Sequence, residues 1–252
     1  MTLRNWALAG AAACAIAVSG PIANAANFQL GFILDRSGSI GAAGWTTIVN
    51  GLAAALPLLT TASDNYYLSV VSFSSAATTN ITNTLVTAGN VAALQAQIQG
   101  IAFTGGNTNY NAAFTAMTAA LGNTANYAAS YVNFSTDGEP NDGNGNTGGI
   151  AARNAMIAAG VDNISIEGIG GGVNQSNLTS NYCYPQPCDT TIPFNFPAQG
   201  FYIAVADAAG YASAIENKIR VVTNQVPEPA TLALFGAGLA GLGLLARRRK
   251  AA

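Results

Sequence analysis

Short apolar segments rich in β-branched and aromatic residues recur along the chain at 28–34, 67–74, 130–135, 163–169 and 200–205. They read as buried strands. Between them lie helix-like stretches at 43–59, 91–101, 111–121, 149–159 and 211–222. Strand alternating with helix predicts an α/β domain with a mostly parallel sheet and helices on both faces. The run Asn80-Ile81-Thr82-Asn83-Thr84-Leu85-Val86 alternates with period two and adds a short edge strand. The expected architecture is a six-stranded, doubly wound, Rossmann-like sheet.

In such sheets ligands bind beyond the carboxyl ends of the strands. The first strand ends in Asp35-Arg36-Ser37-Gly38-Ser39, which offers one carboxylate and two hydroxyls spaced two residues apart around a glycine turn. Oxygen donors of this kind suit a hard cation that keeps some of its water. Two further pieces fall on the same rim: Thr108, in Gly105-Gly106-Asn107-Thr108, and Asp137, which closes the fourth strand in Ser135-Thr136-Asp137-Gly138. Taken singly, each reads as an N-cap, a flexible connection or an ordinary turn. Their convergence on one rim, required by the alternation of strands and helices, favours a site.

The ordered pattern D-x-S-x-S, then Gly-Gly-x-Thr, then T-D-G at a strand end resembles the von Willebrand factor type A (VWA) family over residues 27–223. The resemblance implies a metal-ion-dependent adhesion site (MIDAS). Ser37, Ser39 and Thr108 would bind Mg²⁺ (or Mn²⁺), with Asp35 and Asp137 holding it directly or through water. It also implies an antiparallel edge strand at 80–86, an open coordination position for a partner's carboxylate, and binding rather than turnover. Some members of that family switch by moving their last helix, here 211–222.

Several neighbours of the motif have two readings each. Arg36 either reaches over the rim to a second carboxylate oxygen or is a solvated side chain. Tyr110 either lines the partner-facing surface or packs inward. Glu139 and Asp142 lie close to the proposed site; either tunes the metal, supplies a second ion or fills the open position of a neighbouring molecule, while Asp142 has the further reading of a helix cap. The stretch from Gly170 to Phe196 is long for an αβ connection and is expected to be a surface excursion that is either inert or involved in partner choice. Asp64, Asp162, Glu167, Asp189 and Glu216 read as solvated charges.

Composition narrows the function. Charged residues make up 8% of the chain and hydrophobic ones 50%, so Asn, Thr, Ser, Gln and Gly must cover the surface, as suits an extracellular setting. Residues 26–226 hold four basic side chains against ten acidic ones, which argues against nucleic acid as a partner. Histidine is absent, which excludes Ser-His-Asp and Cys-His catalysis and imidazole-ligated zinc. Lys218 and Lys250 are the only lysines, and neither is placed to serve a Ser-Lys mechanism.

Both ends read as processing segments around one domain at 26–223. Residues 1–25 have a basic start at Arg4, an apolar stretch, Gly20-Pro21 and then Ala23-Asn24-Ala25, the pattern of a secretory signal peptide cleaved after Ala25. Cys14 would leave with it; a lipoprotein reading is weaker because the apolar run continues past it. Residues 224–252 carry Val226-Pro227-Glu228-Pro229, an apolar run from Ala230 to Ala246 and then Arg247-Arg248-Arg249-Lys250. A run of that length lies near the lower limit for a membrane-spanning helix. The segment resembles the PEP-CTERM sorting signal of Gram-negative bacteria, which implies recognition and cleavage by an exosortase and delivery to the cell surface or an exopolysaccharide (biofilm) matrix. The exported setting makes Cys183 and Cys188 a disulfide candidate, with free thiols or half of a metal site as alternatives.

The functional expectation is a non-enzymatic adhesion module that binds a carboxylate on a protein or acidic polysaccharide. A structural matrix protein with a stabilising or vestigial metal site is the alternative. A metal-assisted hydrolase or phosphotransferase is less consistent with the sequence, which supplies neither a second acid beside Asp35 nor a lysine for phosphate.

Overall fold

The computed structural model describes residues 25–224. The expected signal peptide, apart from Ala25, and the expected sorting segment, apart from Asn224, lie outside the described residues. Strands β1 (Asn27–Asp35), β2 (Asn65–Phe73), β3 (Ala77–Leu85), β4 (Ala129–Thr136), β5 (Asn163–Ile169) and β6 (Tyr202–Val205) form one sheet in the order β3-β2-β1-β4-β5-β6. β3 runs antiparallel to β2, and every other pair is parallel. The edge strand starts earlier than its alternation indicates, because Ser74 closes a tight turn by donating to the Ala76 carbonyl at 2.9 Å.

Helices α1 (Gly41–Ala55), α2 (Pro57–Thr60), α3 (Val91–Gln99), α4 (Tyr110–Leu121), α5 (Gly145–Ala158), α6 (Gln175–Asn181) and α7 (Tyr211–Val222) complete the fold. The stretch expected as one helix over 43–59 divides at Leu56, where Pro57 cannot donate to the ladder. α1, α3 and α7 pack on one face around Leu30, Phe32, Trp45, Ile48 and Ile215. α4, α5 and α6 cover the other around Ile33, Phe73, Phe114, Phe134 and Ile166. β1 divides its side chains between the two cores, which is why 28–34 is apolar at every position but Gln29. Gly31 lets α4 approach: a Cβ there would stand 2.7 Å from the Met117 sulfur.

The stretch from Gly170 to Phe196 lies largely at the surface, as expected, but it is anchored in the core. It contains α6 and sends Leu178, Tyr182 and Cys183 into the second core. The Tyr182 ring stacks on Phe114 with centroids 5.7 Å apart and meets Tyr110 edge-on at 5.1 Å. Cys183 and Cys188 form a disulfide, and Tyr184 bridges to Ile164 at the sheet. These apolar anchors lie among polar residues and carry no helical or strand period long enough to read.

Glu167 departs from its expected place as a solvated charge. It is fully buried on β5, and its Oε1 lies 2.9 Å from Nζ of Lys218 on α7. Asp64, Asp162, Asp189 and Glu216 remain partly or fully exposed.

Candidate metal centre

The parallel register brings Leu34 beside Ser135, so the next residues, Asp35 and Thr136, end their strands side by side. The Thr136 hydroxyl donates to Asp35 Oδ2 at 2.7 Å, and the Ser37 amide donates to Oδ1 at 2.8 Å. From Ser37 a chain of contacts continues outward. Ser37 Oγ lies 3.1 Å from Ser39 Oγ, whose hydroxyl donates to Asp137 Oδ1 at 2.8 Å. Asp35, Ser37, Ser39 and Asp137 are thereby brought into one cluster that descends from exposed Ser39 to buried Ser37 and Asp35.

Thr108 reaches the same rim through its loop. Gly38 donates its N–H to the Gly106 carbonyl at 2.9 Å, and the Thr108 amide donates to Asn141 Oδ1 at 2.8 Å. The amides of Asn141 and Asp142 donate back to the Thr108 carbonyl. Thr108 is buried, and among the described residues its hydroxyl has no hydrogen bond to the other four side chains. The loop thus lies between the turn after β1 and the turn after β4.

The loop has no regular structure, so other bonds fix it. Trp45 Nε1 donates to the Ile101 carbonyl at 2.7 Å, Asn107 donates its amide to Ser75 Oγ, and Asn109 donates its amide to the Ser74 carbonyl. Gly106 sits at φ 101, where a Cβ would lie 2.8 Å from Ser75 Oγ. Only glycine takes that backbone without strain and permits that approach.

Arg36 matches neither of its expected roles. Its side chain is buried and turned away from the carboxylates, donating to the Ala102 carbonyl at 3.0 Å and to Thr78 Oγ1 at 2.8 Å. It ties the loop that leads to Thr108 to β3. Tyr110 resolves to its inward reading: it is fully buried, 3.0 Å from Thr136 Oγ1, and donates to the Gly138 carbonyl. Asp142 caps no helix; Asn144 holds the N-cap position of α5, while Asp142 Oδ1 accepts from its neighbour Gly143. Glu139 is exposed and outside the hydrogen-bonded cluster. Thr136, the first residue of T-D-G, and Asn141, which lies outside the motif, both belong to the site without being among the expected ligands. The register of β1 against β4 is the signal that marks Thr136, whereas nothing in the local sequence marks Asn141.

Electrostatics give the cluster its chemical character. Burial pushes the Asp35 carboxyl up to about 6, against the Ser37 and Thr136 hydrogen bonds that favour its charge, and repulsion from Asp137 adds to the rise. Burial also raises Asp137, with Ser39 opposing. Among the described residues no basic side chain pairs with either carboxylate. Nor do the described residues contain a cluster of three His, Cys, Asp or Glu, so any cation here would rely on hydroxyls as well as carboxylates. Two carboxylates and neutral hydroxyls, without thiolate or imidazole, are a donor set that fits a hard divalent cation.

The von Willebrand factor type A domain model matches residues 29–192. The chain belongs to the von Willebrand factor type A family. This VWA chain also matches the PEP-CTERM protein-sorting motif over residues 225–250. That motif indicates export with transient membrane anchoring in Gram-negative bacteria and implies processing by an exosortase. Proximal thread matrix protein 1 from the mussel byssus, with a zinc-occupied MIDAS motif, shares the fold with a TM-score of 0.60 at 16% identity, over 79% of this chain and 46% of that one. The pilus adhesin SpaC from Lactobacillus rhamnosus GG superposes with a TM-score of 0.59 at 13% identity, over 79% of this chain and 31% of that one. A von Willebrand factor type A protein from Catenulispora acidiphila gives 0.58 at 17% identity, over 77% and 42%. The chain therefore spans less than half the length of these solved structures. No curated protein matches it. VWA domains are generally non-catalytic interaction modules, often with a divalent cation at a MIDAS, and the family supports a binding or adhesion-type role.

Proposed function

We propose that this protein is an exported adhesion module. In this reading residues 26–223 form the binding domain, residues 1–25 direct export and are removed, and residues 224–252 are the sorting segment that delivers the domain to the cell surface or extracellular matrix. Ser37, Ser39 and Thr108 offer hydroxyl ligands, while Asp35 and Asp137 hold the ion directly or through water. Mg²⁺ or Mn²⁺ is the ion that this all-oxygen set suits, and the zinc-occupied MIDAS of the mussel protein makes Zn²⁺ the competitor to test. The bound cation would supply an electron-poor centre with one position for a carboxylate oxygen of a protein or acidic polysaccharide.

This chain's own residues do the positioning. Thr136 and the Ser37 amide orient the Asp35 carboxylate, and Ser39 orients Asp137. Arg36, Trp45 and Asn141 hold the Thr108 loop in place. The observation that carries the reading is the convergence of side chains from the β1 and β4 ends around a buried carboxylate with no basic partner.

Calorimetric titration with Mg²⁺, Mn²⁺, Zn²⁺ and Ca²⁺ tests it, alongside a Ser37→Ala, Ser39→Ala double variant. Cation binding in the wild type that the double variant loses is the expected result. Equal binding in both proteins would reject the assignment of the ligands. Cation-dependent capture of carboxylate-bearing polymers, lost in the same variant, tests the adhesive step; cation binding without any capture would favour the structural matrix role.

A further inference from the structure

On the face of the sheet covered by α7, away from the rim, three reactive side chains meet in a closed core. Asn133 and Ser135 on β4 pair in register with Ser165 and Glu167 on β5. Lys218 enters from α7. Its Nζ contacts the carboxamide of Asn133 and lies 2.9 Å from Glu167 Oε1. Asn133 and Glu167 are wholly buried, and Lys218 is 2% exposed. Ser135 donates to Glu167 Oε2 at 2.9 Å, and the Phe201 ring lies 5.1 Å from Nζ.

We propose that Lys218 and Asn133 become joined by an intramolecular isopeptide bond, made by the chain itself with Glu167 as the proton shuttle. The amine, the carboxamide and a carboxyl group are the complete requirement for that reaction, and a dry core excludes the competing hydrolysis. Lys218 gives a proton to Glu167 and becomes a neutral amine. Nζ attacks Cγ of Asn133, a Cγ–Nζ bond forms and the Cγ–Nδ2 bond breaks. Nζ loses a second proton, Glu167 relays a proton to Nδ2, and the amide nitrogen departs as ammonia. Glu167 ends protonated, and no group is oxidised or reduced.

The surroundings favour the first step. Burial lowers the Lys218 amine to about 8, against the opposing pull of Glu167, so the neutral nucleophile is accessible at moderate cost. A void of about 10 Å³ bordered by Phe32, Tyr131, Asn133, Ser165 and Lys218 adjoins the amide. That volume is at the lower bound for a water-sized molecule such as ammonia. The bond would fasten α7 to β4 across a sequence separation of 85 residues. It rests on none of the metal-site argument.

Mass spectrometry of the purified full chain tests the inference. The expected folded protein is lighter by one ammonia, about 17 Da, than the same chain with free side chains. Trypsin adds a positional test. Arg36, Arg153 and Arg220 flank the two partners, so a blocked Lys218 leaves the peptides 37–153 and 154–220 linked after disulfide reduction. Glu167→Gln should remove the link and restore full mass in its soluble fraction; Asn133→Ala should do the same. Cleavage after Lys218 with no mass deficit in folded wild-type protein would overturn the proposal, whatever the variants do. A link that persists at full yield in folded Glu167→Gln would overturn the role of Glu167.

Discussion

Replacing Asp35 by Asn should stabilise the cation-free protein. The folded state raises the Asp35 carboxyl from 3.8 to about 6, so it binds a proton more tightly than the unfolded chain does. The sign follows from that difference. Below about pH 4 the carboxyl is protonated in both states and carries no penalty. As pH climbs through about 6 the folded protein must ionise a buried group, and the rise from 3.8 to about 6 corresponds to a loss of about 3 kcal/mol. Asn keeps an oxygen for the Ser37 amide and carries no charge, so in chelator at pH 7 the variant should melt about 6–12 °C higher than wild type. Added cation should reverse the order, because only wild type gains ligand-linked stability. The assay is thermal unfolding from pH 4 to pH 8, with EDTA and with Mg²⁺. Parallel pH profiles for the two proteins between pH 4 and pH 6 in EDTA would refute the claim that Asp35 carries a buried charge in the folded state. By the same sign, protons compete with the ion, and cation affinity in wild type should fall as pH drops below about 6.

Gly106→Ala should unfold about 1–2 kcal/mol more easily, because φ 101 is unfavourable for an L residue and the new Cβ meets Ser75 Oγ. Since Thr108 follows two residues later, cation affinity should fall by about tenfold in the same titration; Gly171→Ala, whose Cβ meets nothing within 4 Å, is the control. Reducing the Cys183–Cys188 disulfide, which closes a short loop, should lower unfolding free energy in urea by about 2 kcal/mol while leaving the cation titration unchanged. Hydrogen exchange across 211–222 should be the same with and without Mg²⁺, because Lys218 and Tyr211 hold α7 to the buried polar groups of β4 and β5. Faster exchange on adding the ion would restore a moving last helix.

Much of the architecture was legible because a doubly wound sheet imposes two-sided burial. Strand 28–34 is apolar at nearly every position, since both cores draw on it. The rim residues were legible for a different reason. Asp35, Ser37, Ser39 and Asp137 are oxygen donors at strand ends, and topology alone brings those ends together. The residues that orient them were not legible. Arg36 stands inside the motif, yet its partners are a carbonyl 66 residues away and a hydroxyl 42 away. Asn141 serves Thr108 across 33 residues, and no local pattern encodes that distance. Ligand type is a property of a residue, whereas positioning is a property of a pair.

The buried polar cluster beneath α7 did leave a trace, one that composition obscured. Charge is so sparse here, 8% of the chain, that each charged residue invites a surface reading. Position carries more information than type in such a sequence. Glu167 interrupts an apolar run between Ile166 and Ile169, on a strand whose every residue is buried. Lys218 lies on the same helical stripe as Ala214, Ile215, Ile219 and Val222, all of which face the first core. An acid on a core strand and a base on a core stripe cannot both be left unpaired, because an isolated buried charge costs several kcal/mol. In a domain with so few bases, that stripe position singles out Lys218 as the partner of Glu167. The third member, Asn133, sits between Val132 and Phe134 on the central strand beside β5. A polar amide there has no stabilising role unless other buried polar groups meet it, and those that do are the Ser135 hydroxyl, which accepts from Nδ2, and the Lys218 amine, which meets Oδ1.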